Sequence, residues 1–203
     1  MDYFEFFQLP PKLVIDTAAL EKSFYALSRK LHPDRFAAKS AAEQDAALAE
    51  SSRLNDAYRT LKDPIARTEY LLKLEGVEIE EQSKAATEAA RTSGTAKKQI
   101  VPADLLEEAF ELNMQFEEMR MAKKMGEDDP QLRKDLLAAK TSFDAKMRET
   151  QAELEHLWAK WDAGVDAGDA AAKAAARDGM VALLNRRSYL RNLVRDVTEA
   201  LDL

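Results

Sequence analysis

The stretch LEKSFYALSRKLHPDRF, residues 20–36, indicates an amphipathic helix that ends in a rigid turn. Its apolar residues recur at the three- and four-residue spacing that places side chains on one helical face, and they are Leu20, Phe24, Leu27 and Leu31. Pro33 fixes its own φ angle and disfavours the helical conformation in the residue before it, so the helix is expected to run to about Leu31. Asp16 or Thr17 can cap its start, because a short oxygen-bearing side chain accepts the free N–H groups of the first turn.

Further helices are predicted on both sides of this stretch. The sequence Ser-Ala-Ala-Glu at 40–43 has the form of a capping box, and the helix that it opens would turn four residues inward: Leu48, Leu54, Tyr58 and Leu61. Asp63 and Pro64 then start a short helix that Gly76 stops, since proline suits a first helical position. Residues 1–76 therefore predict two antiparallel helices joined by a loop that contains Pro33, with short helices on either side of this hairpin.

The remaining residues divide into a polar segment and a helical bundle. Residues 77–101 are rich in Ala, Ser, Thr, Lys and Glu and lack an apolar stripe, which predicts a linker. From Pro102, apolar residues at three- and four-residue spacing predict helices over roughly 102–125, 130–163 and 169–202. The predicted fold class is all-α, with a three-helix bundle over 102–203 that contains a long helical hairpin.

Composition excludes several functional classes. The net charge of −7 disfavours nucleic acid as a partner, and the absence of cysteine excludes disulfides, thiolate metal sites and cysteine nucleophiles. No apolar window is long enough to span a bilayer, and the start MDYFEFF lacks the basic and apolar segments of a signal peptide. We therefore expect a cytoplasmic protein that binds neither nucleic acid nor membrane.

The tripeptide His32-Pro33-Asp34 has four possible uses: a catalytic dyad, a metal ligand pair, a turn, or a surface that another molecule recognises. A catalytic dyad would need further groups that the sequence does not supply. The histidine is accompanied by no serine in a strained turn, no thiol and no glycine-rich phosphate loop. His32 has no partner at metal-ligand spacing. A turn explains Pro33 but neither neighbour. No catalytic residue, metal site or cofactor is predicted, and the protein is not expected to be an enzyme.

Basic residues near the tripeptide are compatible with recognition. Lys22 and Arg29 lie opposite the apolar side of the predicted helix, and Lys30 and Arg35 add charge towards the loop. A solvated polar face is the ordinary fate of such residues. A basic stripe leading into a rigid loop, on an acidic chain, also suits an acidic protein partner.

The helix predicted from Pro102 carries two apolar stripes, although a bundle helix needs one. The first stripe consists of Leu105, Ala109, Leu112, Phe116 and Met119. The second falls well round towards the opposite side and consists of Leu106, Phe110, Met114 and Met121, bordered by Glu107, Glu111 and Glu118. The second stripe is either buried by another element or exposed as a patch for a partner, and the residues alone leave both possibilities open.

The helix, the His-Pro-Asp loop and the second antiparallel helix resemble a J-domain, the module by which co-chaperones stimulate DnaK-type chaperone ATPases. The segments MDYFEFFQLP, LHPDRFA, AEQDAALAESSRLNDAYRTLKDP and RTEYLLKLEG resemble the HscB-type family of iron–sulfur cluster assembly. This resemblance implies a DnaK/HscA-type chaperone partner. It also implies that His32, Pro33 and Asp34 trigger ATP hydrolysis in that partner while Lys22, Arg29, Lys30 and Arg35 steer docking.

The same resemblance implies a second partner, the iron–sulfur scaffold protein of IscU type. The segment DLLEEAFELNMQFEEM is similar to the family's scaffold-binding segment. The implied contact residues are Leu106, Phe110, Glu111, Glu118 and, in the last helix, Tyr189. Glu107 and Met114 depart from the family pattern. The alternatives are a J-domain adaptor for a different client, and a helical structural or assembly protein without chaperone activity.

Overall fold

The computed structural model describes residues 1–77, 101–126 and 129–202. The α-helices of these residues are α1 (Tyr3–Phe6), α2 (Thr17–Leu31), α3 (Ala41–Lys62), α4 (Pro64–Leu74), α5 (Leu106–Met125), α6 (Pro130–Ala167) and α7 (Ala170–Asp202). Short 3₁₀ helices cover Pro33–Phe36 and Ala103–Leu105. No strand occurs in the described ranges, and the predicted all-α fold class is confirmed. The predicted linker lies outside the described residues, apart from its ends at 77 and 101.

The helices α2, α3 and α4 begin and end close to the residues that the sequence signals predict. The Asp16 carboxylate accepts the N–H groups of Ala18 and Ala19 at 2.9 and 3.0 Å, which satisfies the start of α2. Ser40 and Glu43 form the predicted capping box at the start of α3. Gly76 follows α4 with a φ of +79°, a left-handed conformation that glycine adopts without steric cost.

Contacts between residues group the chain into two compact units. The first unit contains Met1–Ile79 together with Leu157–Asp178, the adjoining ends of α6 and α7. The second contains Glu80–His156 and Gly179–Leu203. The predicted domain boundaries stay a prediction. In the described residues, no helix is both long and apolar enough to cross a membrane.

In the first unit, α2 and α3 lie against each other through aromatic and polar contacts. The rings of Phe24 and Tyr58 stack with centroids 4.1 Å apart. The Tyr58 hydroxyl donates to Glu21 at 3.0 Å and accepts from Lys62 at 3.0 Å, so one side chain fastens both helices.

One inward-facing residue of α3 was predicted incorrectly. Leu48 is 61% exposed, whereas the neighbouring Ala47 is buried. Ala47 precedes the buried Leu54 by seven residues, as Leu54 precedes the buried Leu61, so these three residues lie on one side of the helix about two turns apart. Leu48 is rotated away from that side by one residue, about 100°.

The end of α6 contacts the segment before α2 within the first unit. The Asp162 carboxylate accepts the backbone N–H groups of Leu13 and Val14 at 2.8 and 2.9 Å. The Trp161 indole N–H donates to the Pro11 carbonyl at 3.1 Å, and Lys12 forms an ion pair with Asp166 at 2.6 Å.

A buried arginine lies in the same unit and is influenced by the same aspartate. Arg67 is only 5% exposed and donates to the Leu61 carbonyl. Burial lowers the pKa of its guanidinium, whereas the charges of Asp63 and Asp162 act in the opposite direction. Asp162 thus both accepts backbone N–H groups and offsets a buried positive charge.

The second unit has its own hydrophobic core, to which α5 contributes the first of its two predicted stripes. Leu105, Ala109 and Leu112 are buried in this core, and Phe116 and Met119 pack against it. The other buried members come from α6 and α7, and they are Leu136, Phe143, Leu190, Leu193 and Val197. The packing role of the first stripe is therefore confirmed.

Candidate functional site

The His-Pro-Asp tripeptide lies at the turn between α2 and the following 3₁₀ helix. His32 is the residue before that helix, with φ −60° and ψ 127°, and its Nδ1 accepts the Asp34 backbone N–H at 3.3 Å. The same Nδ1 lies 3.6 Å from Asp34 Oδ2. The side chains of His32 and Asp34 are 55% and 90% exposed, so both groups are available to a second molecule.

Hydrogen bonds from Arg35, within the 3₁₀ helix, and from Gln44, on α3, connect this loop to its neighbours. Arg35 lies just after the tripeptide and donates through Nη1 to the Arg29 carbonyl at 3.3 Å, near the end of α2, where helix carbonyls lack intrahelical partners. From α3, Gln44 Nε2 donates to the carbonyls of Ala37 and Lys39 at 3.3 and 2.9 Å. The loop is therefore held in one shape. Gln44 was missed in the sequence, because its role depends on where α3 passes the loop.

The outer side of α2 exposes the predicted basic residues together with an aromatic one. The predicted residues Lys22, Arg29, Lys30 and Arg35 are all exposed. Tyr25 is 56% exposed, and its carbonyl accepts the Arg29 Nε–H at 3.2 Å. At three to four residues from Lys22 and Arg29, Tyr25 belongs to the same face. Tyr25 was not selected in the sequence, because aromatic residues of an amphipathic helix, such as the neighbouring Phe24, ordinarily belong to the core.

The chemistry of this surface is that of recognition. It offers an imidazole, a carboxylate and four cationic side chains to solvent, on a backbone whose shape is set by local hydrogen bonds. Such a preorganised polar surface binds a partner with little loss of conformational entropy. In the described part of the chain, no group of three or more His, Asp or Glu residues is arranged to hold a metal ion.

The second predicted surface lies on α5, and its apolar residues are exposed. Leu106 and Phe110 are 60% and 67% exposed, and Met114 and Met121 are also more than half exposed. The alternative in which this second stripe is buried is therefore wrong. On a helix of 3.6 residues per turn, the stripe points about 150° away from the core-facing stripe.

The polar residues predicted with this surface differ in their accessibility. Glu107, Glu111 and Glu118 are exposed along one edge of the second stripe. Tyr189 on α7 packs against the core of the second unit and is half-buried, so only part of its side chain is available to a partner. Burial raises the pKa of the Tyr189 hydroxyl, and the nearby Asp196 carboxylate adds to this effect.

Comparisons with known proteins cover both surfaces. Residues 2–70, which include α1–α3, the loop and most of α4, match the family model of the DnaJ domain. The chaperone HscB from Vibrio cholerae is similar over 99% of this chain and 98% of its own, with 25% identity and a TM-score of 0.60. The structure of the human co-chaperone protein HscB is similar over 98% of this chain and 81% of its own, with 24% identity and a TM-score of 0.60.

The DnaJ match contains the exposed His-Pro-Asp loop and the basic face of α2. The likeness to HscB extends through the second unit, so it includes α5. The resemblance noted in the sequence is thereby confirmed: residues 2–70 match the DnaJ domain, and the whole chain is similar to HscB-type J-domain co-chaperones.

Proposed function

We propose that this protein stimulates the ATPase of a DnaK/HscA-type chaperone through its His32-Pro33-Asp34 loop and delivers the iron–sulfur scaffold protein of IscU type to that chaperone. In this proposal residues 1–76 are the J-domain, 77–101 the linker and 102–203 the scaffold-binding bundle. The protein performs no chemistry itself, because hydrolysis occurs in the chaperone. It acts in the cytoplasm.

The observation that carries the proposal is the exposure of a hydrogen-bonded His-Pro-Asp loop directly beside a basic helix face. The four cations Lys22, Arg29, Lys30 and Arg35 attract an acidic surface and orient it before contact, which raises the association rate. The tripeptide then meets the partner in a shape that Arg35 and Gln44 already hold. Tyr25 adds apolar contact area on the same face.

Scaffold delivery is assigned to α5. Leu106 and Phe110 are the apolar contacts of the proposed site, and Glu111 and Glu118 select a partner with basic residues at matching positions. Tyr189 completes the proposed set from α7. A partner held on the second unit reaches the chaperone together with the loop of the first, which explains why one chain carries both surfaces.

Single-turnover hydrolysis of ATP by a DnaK/HscA-type chaperone tests both parts of the proposal. We expect this protein alone to raise the rate, and this protein together with the scaffold to raise it more than the two separate effects multiplied. No stimulation by this protein would contradict the co-chaperone role. Stimulation without any scaffold effect would favour a J-domain adaptor for a different client.

A further inference from the structure

The exposed apolar side of α5 continues beyond the segment for which scaffold contacts are proposed. That segment ends at Glu118, but Met121 is 60% exposed and Met125, the last residue of α5, is 73% exposed. With Leu106, Phe110 and Met114 they form one exposed row, which we name the α5 stripe.

Helical geometry places the two methionines on the same side as the proposed contacts. Met121 follows Met114 by seven residues, which is two turns, and Met125 follows one turn later. At about 1.5 Å per residue the α5 stripe is about 28 Å long, whereas the part from Leu106 to Glu118 is about 18 Å long. A standard protein interface covers about 800 Å² on each partner, a patch roughly 28 Å across. The length of the complete stripe fits such a patch better than the shorter segment does.

The α5 stripe is not needed to fold the second unit. The opposite side of the helix supplies the packing, with Leu105, Ala109 and Leu112 buried in the core. These five large apolar side chains therefore add little to the stability of the isolated chain. They lie on one side of α5, with the exposed Glu117 between Met114 and Met121, and an exposed apolar surface of this kind is typical of a docking site. Methionine suits such a surface because its flexible side chain adapts to an irregular partner.

Charges around the α5 stripe indicate the chemistry of the occupant. One edge carries Glu107, Glu111 and Glu118, all exposed. Beyond them, Arg120 pairs with Glu117 at 2.7 Å, and Lys124 is exposed in the last turn of α5 beside Met125, so the acidic residues of the stripe's border outnumber the cations. The surface is complementary to an apolar protein patch bordered by basic residues. A second copy of this chain would bring the same acidic edge, against which its own stripe offers only Lys124 and the paired Arg120 as bordering cations.

We propose that the docking surface for the scaffold extends to the end of α5, with Met121 and Met125 contacting apolar side chains of the scaffold. This inference rests on the proposed function, since it assigns more of α5 to the same partner. The basic residues of that partner face Glu107, Glu111 and Glu118, while its apolar patch covers both halves of the α5 stripe.

Affinity measurements with two double variants and one single variant test whether the scaffold surface extends to the end of α5. The variant Met121→Ala/Met125→Ala keeps residues of high helix propensity, and we expect it to weaken scaffold binding about tenfold, as loss of buried interface side chains does. Leu106→Ala/Phe110→Ala measures the proposed contacts in the same titration. Leu137→Ala is the matched control, because Leu137 is 50% exposed on α6 and outside the stripe. Leu137→Ala should keep the scaffold affinity and the basal stimulation of the chaperone ATPase of the wild type, and all three variants should keep its helical circular dichroism.

The outcomes separate this inference from the proposed function. If Leu106→Ala/Phe110→Ala weakens binding and the methionine variant stays within about twofold of wild type, docking ends near Glu118 and the inference is wrong. If the wild type does not bind the scaffold, the proposed function itself is wrong. If sedimentation shows a dimer of this chain that the methionine variant abolishes and the scaffold does not compete with, the α5 stripe is occupied by a second copy.

Oxidation of methionine gives a second readout that needs no substitution. Dilute hydrogen peroxide converts exposed methionine to the sulfoxide, which mass spectrometry assigns to each residue. We expect saturating scaffold to slow the oxidation of Met121 and Met125 about fivefold or more relative to Met1, which is 78% exposed and distant in sequence. Equal rates with and without the scaffold would overturn the extension.

Discussion

The loop after α2 and the stripe on α5 are both exposed, but they differ in what keeps them ready for a partner. The loop is polar, and its shape depends on hydrogen bonds from Arg35 and Gln44 to backbone carbonyls. The α5 stripe is apolar and needs no such fastening, because the helix itself sets the positions of its side chains. The polar loop depends on hydrogen bonds that fix its backbone, whereas the apolar stripe requires only that no other part of the chain packs on that side of the helix.

The same difference suits the two surfaces to different kinds of binding. Exposed charges act over a distance, so the α2 face suits rapid and reversible engagement of a partner. Apolar contacts act only at close range and gain their free energy from the area removed from water, so the α5 stripe suits retention of a client. In our proposal the chaperone is engaged by the first surface and the scaffold is held by the second.

The largest expected effect is the loss of ATPase stimulation by one substitution in the loop that leaves scaffold binding intact. Asp34→Asn removes a carboxylate that is 90% exposed, and we expect stimulation of the chaperone ATPase to fall to the level of the chaperone alone. Scaffold affinity and thermal stability should be unchanged, since substitution of an exposed residue without packing contacts has little effect on folding.

Asp45→Asn is the matched control for this prediction, because Asp45 is an exposed acid on α3 outside the loop. It should stimulate the ATPase as the wild type does. Undiminished stimulation by Asp34→Asn would remove the loop from the mechanism, and a parallel loss of scaffold binding would show that the two surfaces are not independent.

The next largest effect concerns the stability of the unit that carries the loop. Asp162→Ala leaves the N–H groups of Leu13 and Val14 without their acceptor. Hydrogen bonds to a charged group contribute about 1.5–3 kcal/mol each, and water replaces part of the loss at the exposed Val14. We expect the free energy of unfolding of the first unit to fall by about 2–4 kcal/mol.

Both tryptophans of the chain, Trp158 and Trp161, lie in the first unit, so their fluorescence in a urea titration reports its unfolding. Asp166→Ala is the control, since it removes only the ion pair between Lys12 and the exposed Asp166 carboxylate. It should lower the free energy of unfolding by less than about 1 kcal/mol. Equal unfolding midpoints for the two variants would mean that Asp162 does not hold the segment before α2.

The smallest expected effect is a difference in salt dependence. Between 50 and 300 mM KCl the screening length falls from about 14 to about 6 Å, which weakens attraction between exposed charges. Apparent chaperone affinity, taken from ATPase titrations, should fall about tenfold because four exposed cations contribute to docking. Scaffold affinity should fall only about two- to threefold, because apolar contact supplies most of its free energy. Equal salt dependence of the two affinities would contradict the division between a charged and an apolar surface.

Much of this organisation could be predicted from local sequence signals. Capping residues, prolines and glycines mark the helix ends of the first 76 residues, because their effect depends on one turn of backbone. The two stripes of α5 could be predicted from spacing alone. Leu48 shows the limit of such reasoning, since the choice between it and Ala47 depends on which side of α3 faces the rest of the unit.

The candidate site was predicted unevenly for the same reason. The tripeptide and the basic residues lie close together in sequence, so their common surface follows from one helix and one turn. Gln44 reaches the loop only because α3 passes beside it, and the role of Tyr25 depends on which side of α2 is left uncovered. Whether the second stripe of α5 was buried or exposed required the position of the other helices.

The all-α class, the starts and ends of the main helices and the two groups of side chains that could face partners follow from the residue pattern, because each depends on chemistry within a few residues. The exposure of the α5 stripe and the inclusion of Leu157–Asp178 in the first unit depend instead on how the helices pack. The hydrogen bonds from Leu13 and Val14 to Asp162 connect residues about 150 positions apart, as the ion pair of Lys12 with Asp166 also does. Such contacts depend on the packing of the whole unit, which no local pattern of residues encodes.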